Sequence, residues 1–145
     1  MATVNVYLTF NGNTEEAFNF YKSVFGGDFT YLGRFKDMPA DENYPPPSED
    51  EGNRIMHVSL AISKETILMG SDSTSFSGDV TFGNNFSVSI NTNSKEEADK
   101  LFNGLSANGT IIMPMEKTFW GAYFGMFTDK FGINWMVNFD EVPAS

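Results

Sequence analysis

"TEEAFNFYKSVFGG", residues 14–27, has a near copy in "KEEADKLFNGLSANG", residues 95–109. Ala17, Phe20, Tyr21 and Val24 in the first stretch, and Ala98, Leu101, Phe102 and Leu105 in the second, recur at helical spacing. A stripe of that period predicts an amphipathic helix with one buried side. An Asn-x-x-Glu start (Asn13 to Glu16) and a Ser-x-x-Glu start (Ser94 to Glu97) predict capped N-termini, and Gly26 with Gly27, then Gly109, predict the stops.

The flanking segments repeat in the same order. Before the first helix, "VNVYLTF" (4–10) alternates, with Val4, Val6, Leu8 and Phe10 on one side and Asn5, Tyr7 and Thr9 on the other. Before the second, "NNFSVSIN" (84–91) sets Phe86, Val88 and Ile90 against Asn85, Ser87 and Ser89. Period-two alternation marks half-buried strands. After the first helix come "FTYLGRF", "RIMHVSLAI" and "TILMGSD", and after the second "TIIMPMEK", "WGAYFGMFTD" and "INWMVNF", all strand-like. Strand, cap, stripe and stop recur together, so the sequence predicts an α+β fold of two tandem β-α-β-β-β modules. Module one spans about residues 3–72, a linker about 73–83 and module two about 84–139, all within one domain over 1–145. The acidic, Pro-rich "KDMPADENYPPPSEDEGN" (36–53) is expected to be a mobile, solvated loop.

Composition limits the chemistry. The 145 residues include no cysteine, which excludes disulfides, thiolate zinc sites and a cysteine nucleophile. One histidine, His57, excludes a site needing two imidazoles from one chain. A net charge of -10 repels phosphate backbones and anionic head groups, so neither nucleic acid nor a membrane surface is an expected partner. No apolar run reaches the roughly 20 residues that span a bilayer, and "MATVNVYLTF" lacks the basic start of a signal peptide. A cytoplasmic protein is expected.

"F-N-G-N-x-E-E-A-x-x-F-Y-K-x-V-F-G-G" (10–27) and "T-F-W-G-A-Y-F-G-M-F-T-D-K-F-G-I-N-W-M-V-N" (118–138), set in paired β-α-β-β-β modules, resemble the glyoxalase/bleomycin-resistance (vicinal oxygen chelate) superfamily. Within it the chain resembles the PhnB-like subfamily, often labelled 3-demethylubiquinone-9 3-methyltransferase-like. The resemblance implies mixed sheets curled around a cleft, commonly completed in a homodimer. In metal-using members the cation is held by two histidines, or a histidine and a glutamine, with two glutamates, from the first and last strands of each module. Here the corresponding positions carry Asn5, Asn85 and Met136, and Asp72 is the single carboxylate of "LMGSD". Two amides and a thioether are a weak donor set for zinc, nickel or magnesium, so no metal and no cofactor are expected, with Met136 filling the former metal cavity. A methyltransferase would need a Gly-rich site for S-adenosylmethionine, and the single glycine of "FNGN" is no such motif.

His57 alternates with Ser59 and Ala61 on a strand, opposite the side of Met56, Val58, Leu60 and Ile62, and is expected to share a polar, concave side with Ser59, Asn5 and Tyr7. An imidazole there can serve as acid or base, or as a hydrogen-bonded structural ring. Trp120, beside Gly121, is either an aromatic wall of the cleft or a packed interface or core residue. Asp129 and Gly132 are expected to shape a turn, and Arg34 and Arg54 either to meet an anionic ligand or to balance nearby acids. The leading expectation is a metal-free dimeric protein that binds a small organic molecule with Asn5, Tyr7, His57, Ser59, Asn85, Ser87, Trp120 and Met136. The rivals are an enzyme using His57 as acid or base, a metal-dependent lyase or dioxygenase, and the methyltransferase of the family label.

Overall fold

The computed structural model describes residues 2–39, 41–43 and 45–141. The chain divides into two compact units, Met1–Thr81 and Phe82–Ser145. The first holds β1 (Val6–Phe10), α1 (Thr14–Phe25), β2 (Phe29–Arg34), a 3₁₀ turn (Phe35–Asp37), α2 (Glu49–Asn53), β3 (Ile55–Ala61) and β4 (Ile67–Asp72). The second holds β5 (Val88–Asn91), α3 (Lys95–Ser106), β6 (Thr110–Lys117), β7 (Ala122–Thr128) and β8 (Asn134–Asp140). Each unit is a four-stranded mixed sheet, ordered β1-β4-β3-β2 and β5-β8-β7-β6, in which only the first and last strands of the unit run parallel. In each unit the helix carries the chain from the first strand at one edge of the sheet to the second strand at the other.

One side of each sheet is closed by its long helix. In the first unit Leu8, Phe10, Val58, Leu60 and Leu68 bury against Ala17, Phe18 and Tyr21 of α1. In the second, Phe127, Trp135 and Val137 bury with Ala98, Leu101, Phe102 and Leu105 of α3. The closeness of helix and sheet depends on a glycine in each. A Cβ at Gly70 would lie 2.7 Å from the Phe18 ring, and one at Gly125 2.8 Å from the Phe102 ring. The two glycines are not counterparts in the repeat: Gly70 lies in the fourth strand of its unit and Gly125 in the third of the other.

Several local expectations are corrected. Phe18, not Phe20, is buried beside Tyr21, because α1 turns its 14-17-18-21 face to the sheet. Val4 and Phe86, expected on packed sides, lie before β1 and β5 and are 98% and 62% exposed. The Asn13 side chain makes no cap; α1 is capped from β4 by Asp72, described below. At α3 the expected box forms in shifted form: Ser94 Oγ accepts from Glu97 N (3.0 Å), and Glu97 Oε1 accepts from Asn93 N (3.1 Å). α3 ends at Ser106, and the positive φ of its turn, +61°, falls on Asn108, one residue before Gly109.

The loop expected to be mobile contains the 3₁₀ turn and α2. Its far end is tied down: the Glu51 carboxylate accepts from Ser75 N (2.6 Å) and Ser75 Oγ (3.2 Å), while Lys36 Nζ donates to Asn53 Oδ1 (3.0 Å). Residues 40 and 44 of that loop lie outside the described residues. Among the described residues no helix is long and apolar enough to cross a membrane.

Candidate functional site

The first sheet's second face, away from α1, gathers the polar residues. Alternation puts Tyr7 of β1 and His57 and Ser59 of β3 there, and the register of β2 sets Tyr31 opposite Ser59 and Gly33 opposite His57. Tyr7 Oη lies 3.2 Å from His57 Nδ1, and Ser59 Oγ lies 3.0 Å from Nε2. A neutral imidazole donates through one nitrogen and accepts through the other, and a hydroxyl serves in either role, so both tautomers fit this chain. The Tyr7 and Tyr31 rings stand 5.6 and 5.8 Å from the imidazole. Ser59 is buried, whereas Tyr7 and Tyr31 are about half exposed, 47% and 51%. The face is open and aromatic, with one polar line across it.

The structure therefore joins three of the sequence-derived residues, Tyr7, His57 and Ser59, and adds Tyr31. Asn5 is exposed one residue before β1, and among the described residues no hydrogen bond joins it to His57. The others belong to the second unit. Asn85 is exposed in a bend before β5, and Ser87 is half-buried at that strand's start. Met136 of β8 is half-buried, opposite Met126 of β7 and Ser89 of β5. Trp120 lies in the β6–β7 turn beside Gly121 (φ +90°), edge-on to Phe119 at 4.9 Å and 6.3 Å from Phe124.

Two ion-pair systems answer the question of anions. Arg34 meets Glu15 with both terminal nitrogens (2.7 and 3.2 Å) and also donates to the Asn53 carbonyl (2.8 Å). Its hydrogen bond to Glu15 holds that carboxyl below the usual range and raises the guanidinium. Arg54 donates to the Ser73 carbonyl (3.0 Å) and reaches Asp50 (3.4 Å). Both arginines are committed to the chain itself.

The donor set does not fit a divalent metal. Among the described residues no three His, Asp or Glu side chains stand close enough to share an ion, and Asn5, Asn85 and Met136 offer only amides and a thioether. Asp72 is spent elsewhere: its Oδ1 accepts from Gly12 N (3.0 Å), Thr14 N (3.0 Å) and Thr14 Oγ1 (2.6 Å), and its Oδ2 from Ile55 N (2.9 Å). The same bonds close the N-terminus of α1, the place after a first strand where a Gly-rich turn would hold a nucleotide-like cofactor. S-adenosylmethionine finds no such cradle there.

Asp129 and Gly132 shape a turn, as expected. Asp129 accepts from Phe131 N (2.8 Å), Ile133 N (3.1 Å) and Trp135 Nε1 (2.8 Å), and Gly132 has φ +93°.

Paired β-α-β-β-β modules with these mixed sheets are the fold shared with solved proteins described as glyoxalase/bleomycin resistance protein/dioxygenase. Residues 2–138 match the family model described as 3-demethylubiquinone-9 3-methyltransferase. The chain belongs to that PhnB-like family. It is 33% identical to Protein YjdN of Escherichia coli (strain K12), over 91% of each chain. Among solved structures it is similar to protein PA1353 from Pseudomonas aeruginosa, with 38% identity, TM-score 0.84 and coverage of 97% of this chain and 98% of that one. The PhnB protein from Bacillus cereus follows at 27% identity, TM-score 0.73 and coverage of 95% and 99%.

Proposed function

We propose that this PhnB-like chain binds a small organic molecule without a metal, on the first sheet's face around His57, Tyr7 and Ser59. The observation that carries this reading is the hydroxyl–imidazole–hydroxyl line on an open sheet face flanked by tyrosine rings. Few polar groups placed among aromatic surface are what small-molecule recognition needs. The proposal rests on the first unit alone and includes the homodimer that the family resemblance implies.

A second reading has its own support. Because both partners of His57 are hydroxyls, the ring can gain or lose a proton while each hydroxyl reorients and stays bonded. That suits acid–base work on the same ligand.

Thermal unfolding against a library of small molecules and divalent cations tests the reading, since a ligand of the native state raises the midpoint. Organic molecules are expected to raise it, with zinc, nickel, magnesium and chelator leaving it in place. A stoichiometric metal with a rising midpoint would overturn the metal-free reading. For any hit, folded His57→Ala separates the two roles: lost conversion with most affinity kept supports acid–base work, and weakened affinity with no conversion by either protein supports binding.

A further inference from the structure

The rings around His57 narrow the ligand's chemistry, a step that rests on reading this face as the binding site. We infer that the face takes an organic cation, an alkyl-substituted ammonium seated on the rings of Tyr7 and Tyr31.

The rings are arranged for it. Tyr7 and Tyr31 flank the imidazole at tilts of 35° and 45°, so the three rings form a shallow aromatic surface with half of each tyrosine open to solvent. The negative face of an aromatic ring attracts a cation within about 6 Å. Elsewhere the chain fills such faces itself: Lys22 Nζ stands 5.0 Å over the Phe29 ring, and Lys95 Nζ 4.6 Å over the Tyr123 ring. Among the described residues no lysine or arginine stands over Tyr7 or Tyr31. Those two faces are left for a ligand.

Gly33 holds one of the rings in place. A Cβ there would lie 2.6 Å from the Tyr31 hydroxyl and 3.0 Å from two of its ring carbons. Tyr31 thus lies down across the bare backbone of its own strand, beside His57. Its φ is outside the left-handed region, so the glycine serves the ring rather than the backbone.

Charge agrees. The net charge of -10 draws cations and repels anions at long range, and both arginines that might hold an anion are engaged with Glu15, Asn53, Asp50 and Ser73. Neither arginine is left to hold an anion, whereas a cation meets unfilled rings.

The test uses choline and its neutral isostere, in which a tert-butyl group replaces the trimethylammonium, together with phenol and benzoate. The readout is the imidazole resonances of His57, unambiguous because the chain has one histidine. Choline is expected to move them and to bind roughly tenfold more tightly than its isostere. Gly33→Ala, which keeps every ring, is expected to weaken choline while the Tyr7–His57 contact persists; Tyr31→Leu serves if that variant misfolds. Equal affinity for choline and isostere, or tighter benzoate, would overturn the inference. If phenol moves His57 and choline does not, the cation falls while the site stands. If none of the four moves His57, both fall.

Discussion

Asp72 organises more of the first unit than any other polar side chain described. It ends β4, yet its carboxylate accepts from the turn before α1, from the first residue of that helix and from the first residue of β3. Four donors converge on a side chain only 5% exposed. Removing the carboxylate would leave three backbone N–H groups without their acceptor, at a site where water has little access. Hydrogen bonds to a charged group are worth more than neutral ones, and orphaned buried donors cost about 1–3 kcal/mol each. Asp72→Ala is therefore expected to lower stability by about 3 kcal/mol or more. Asp72→Asn should lose less, because its amide oxygen can still accept at the helix N-terminus while its NH2 turns a donor toward Ile55 N. Urea unfolding measures both, and a loss below about 1 kcal/mol would show that the cap is dispensable. In the sequence Asp72 stands out only as the single carboxylate of "LMGSD". Its partners lie 17 to 60 residues away, and no local spacing brings them together.

Between elements, the second unit has a link of a different kind. Tyr123 of β7 donates its hydroxyl to Asp99 of α3 at 2.6 Å, under the ammonium of Lys95. The hydrogen bond to Asp99, followed by desolvation, pushes the phenol from 10.0 up to about 12. A raised pKa favours the protonated folded state: the contribution is fully present below pH 10 and is lost as the pH rises through about 12. Tyr123→Phe is accordingly expected to be less stable than the parent at neutral pH, with the difference shrinking across that window. Tyrosinate absorbance offers an independent check. An ionisation step near pH 12 should be present in the parent and vanish in the variant, and an unchanged profile would refute the link. Elements of this kind were legible where one pattern decides them. All eight strands and both long helices are legible in the sequence as strand-like stretches and helical stripes. What the stripes could not show is where a strand frays into its loop, as at Val4 and Phe86, or which side chain reaches across from another element. Tyr31 was missed for that reason: alternation puts it on a face, but only the register with Ser59 brings it to His57.

At the scale of the whole molecule, self-association sets apolar surface against charge. β6 is the edge of the second sheet, and Ile111, Ile112 and Met113 on it are 53%, 55% and 43% exposed. Natural edge strands discourage pairing with proline, charges and bulges. Here Pro114, Glu116 and Lys117 sit in the strand's second half and register shifts fall between Ile111 and Met113 and between Met113 and Glu116, so the stretch from Thr110 to Met113 is irregular but carries no charge and no proline. A second copy approaching antiparallel meets the same stretch, which makes the contact self-complementary, as a two-fold dimer requires. Against this stands a net charge of -10 on each copy. Added salt screens that repulsion over about 10 Å at 0.1 M while leaving apolar contact intact, so the proposed dimer should tighten as ionic strength rises. Light scattering at micromolar concentration is expected to give twice the chain mass of 16.1 kDa, approached from below in dilute buffer. Ile112→Glu adds a charge on each side of the contact and should yield the single-chain mass with the unfolding midpoint little changed. A dimer that survives this substitution would have to use another surface. A single-chain mass at every salt concentration would mean that charge wins and that the edge of β6 stays open.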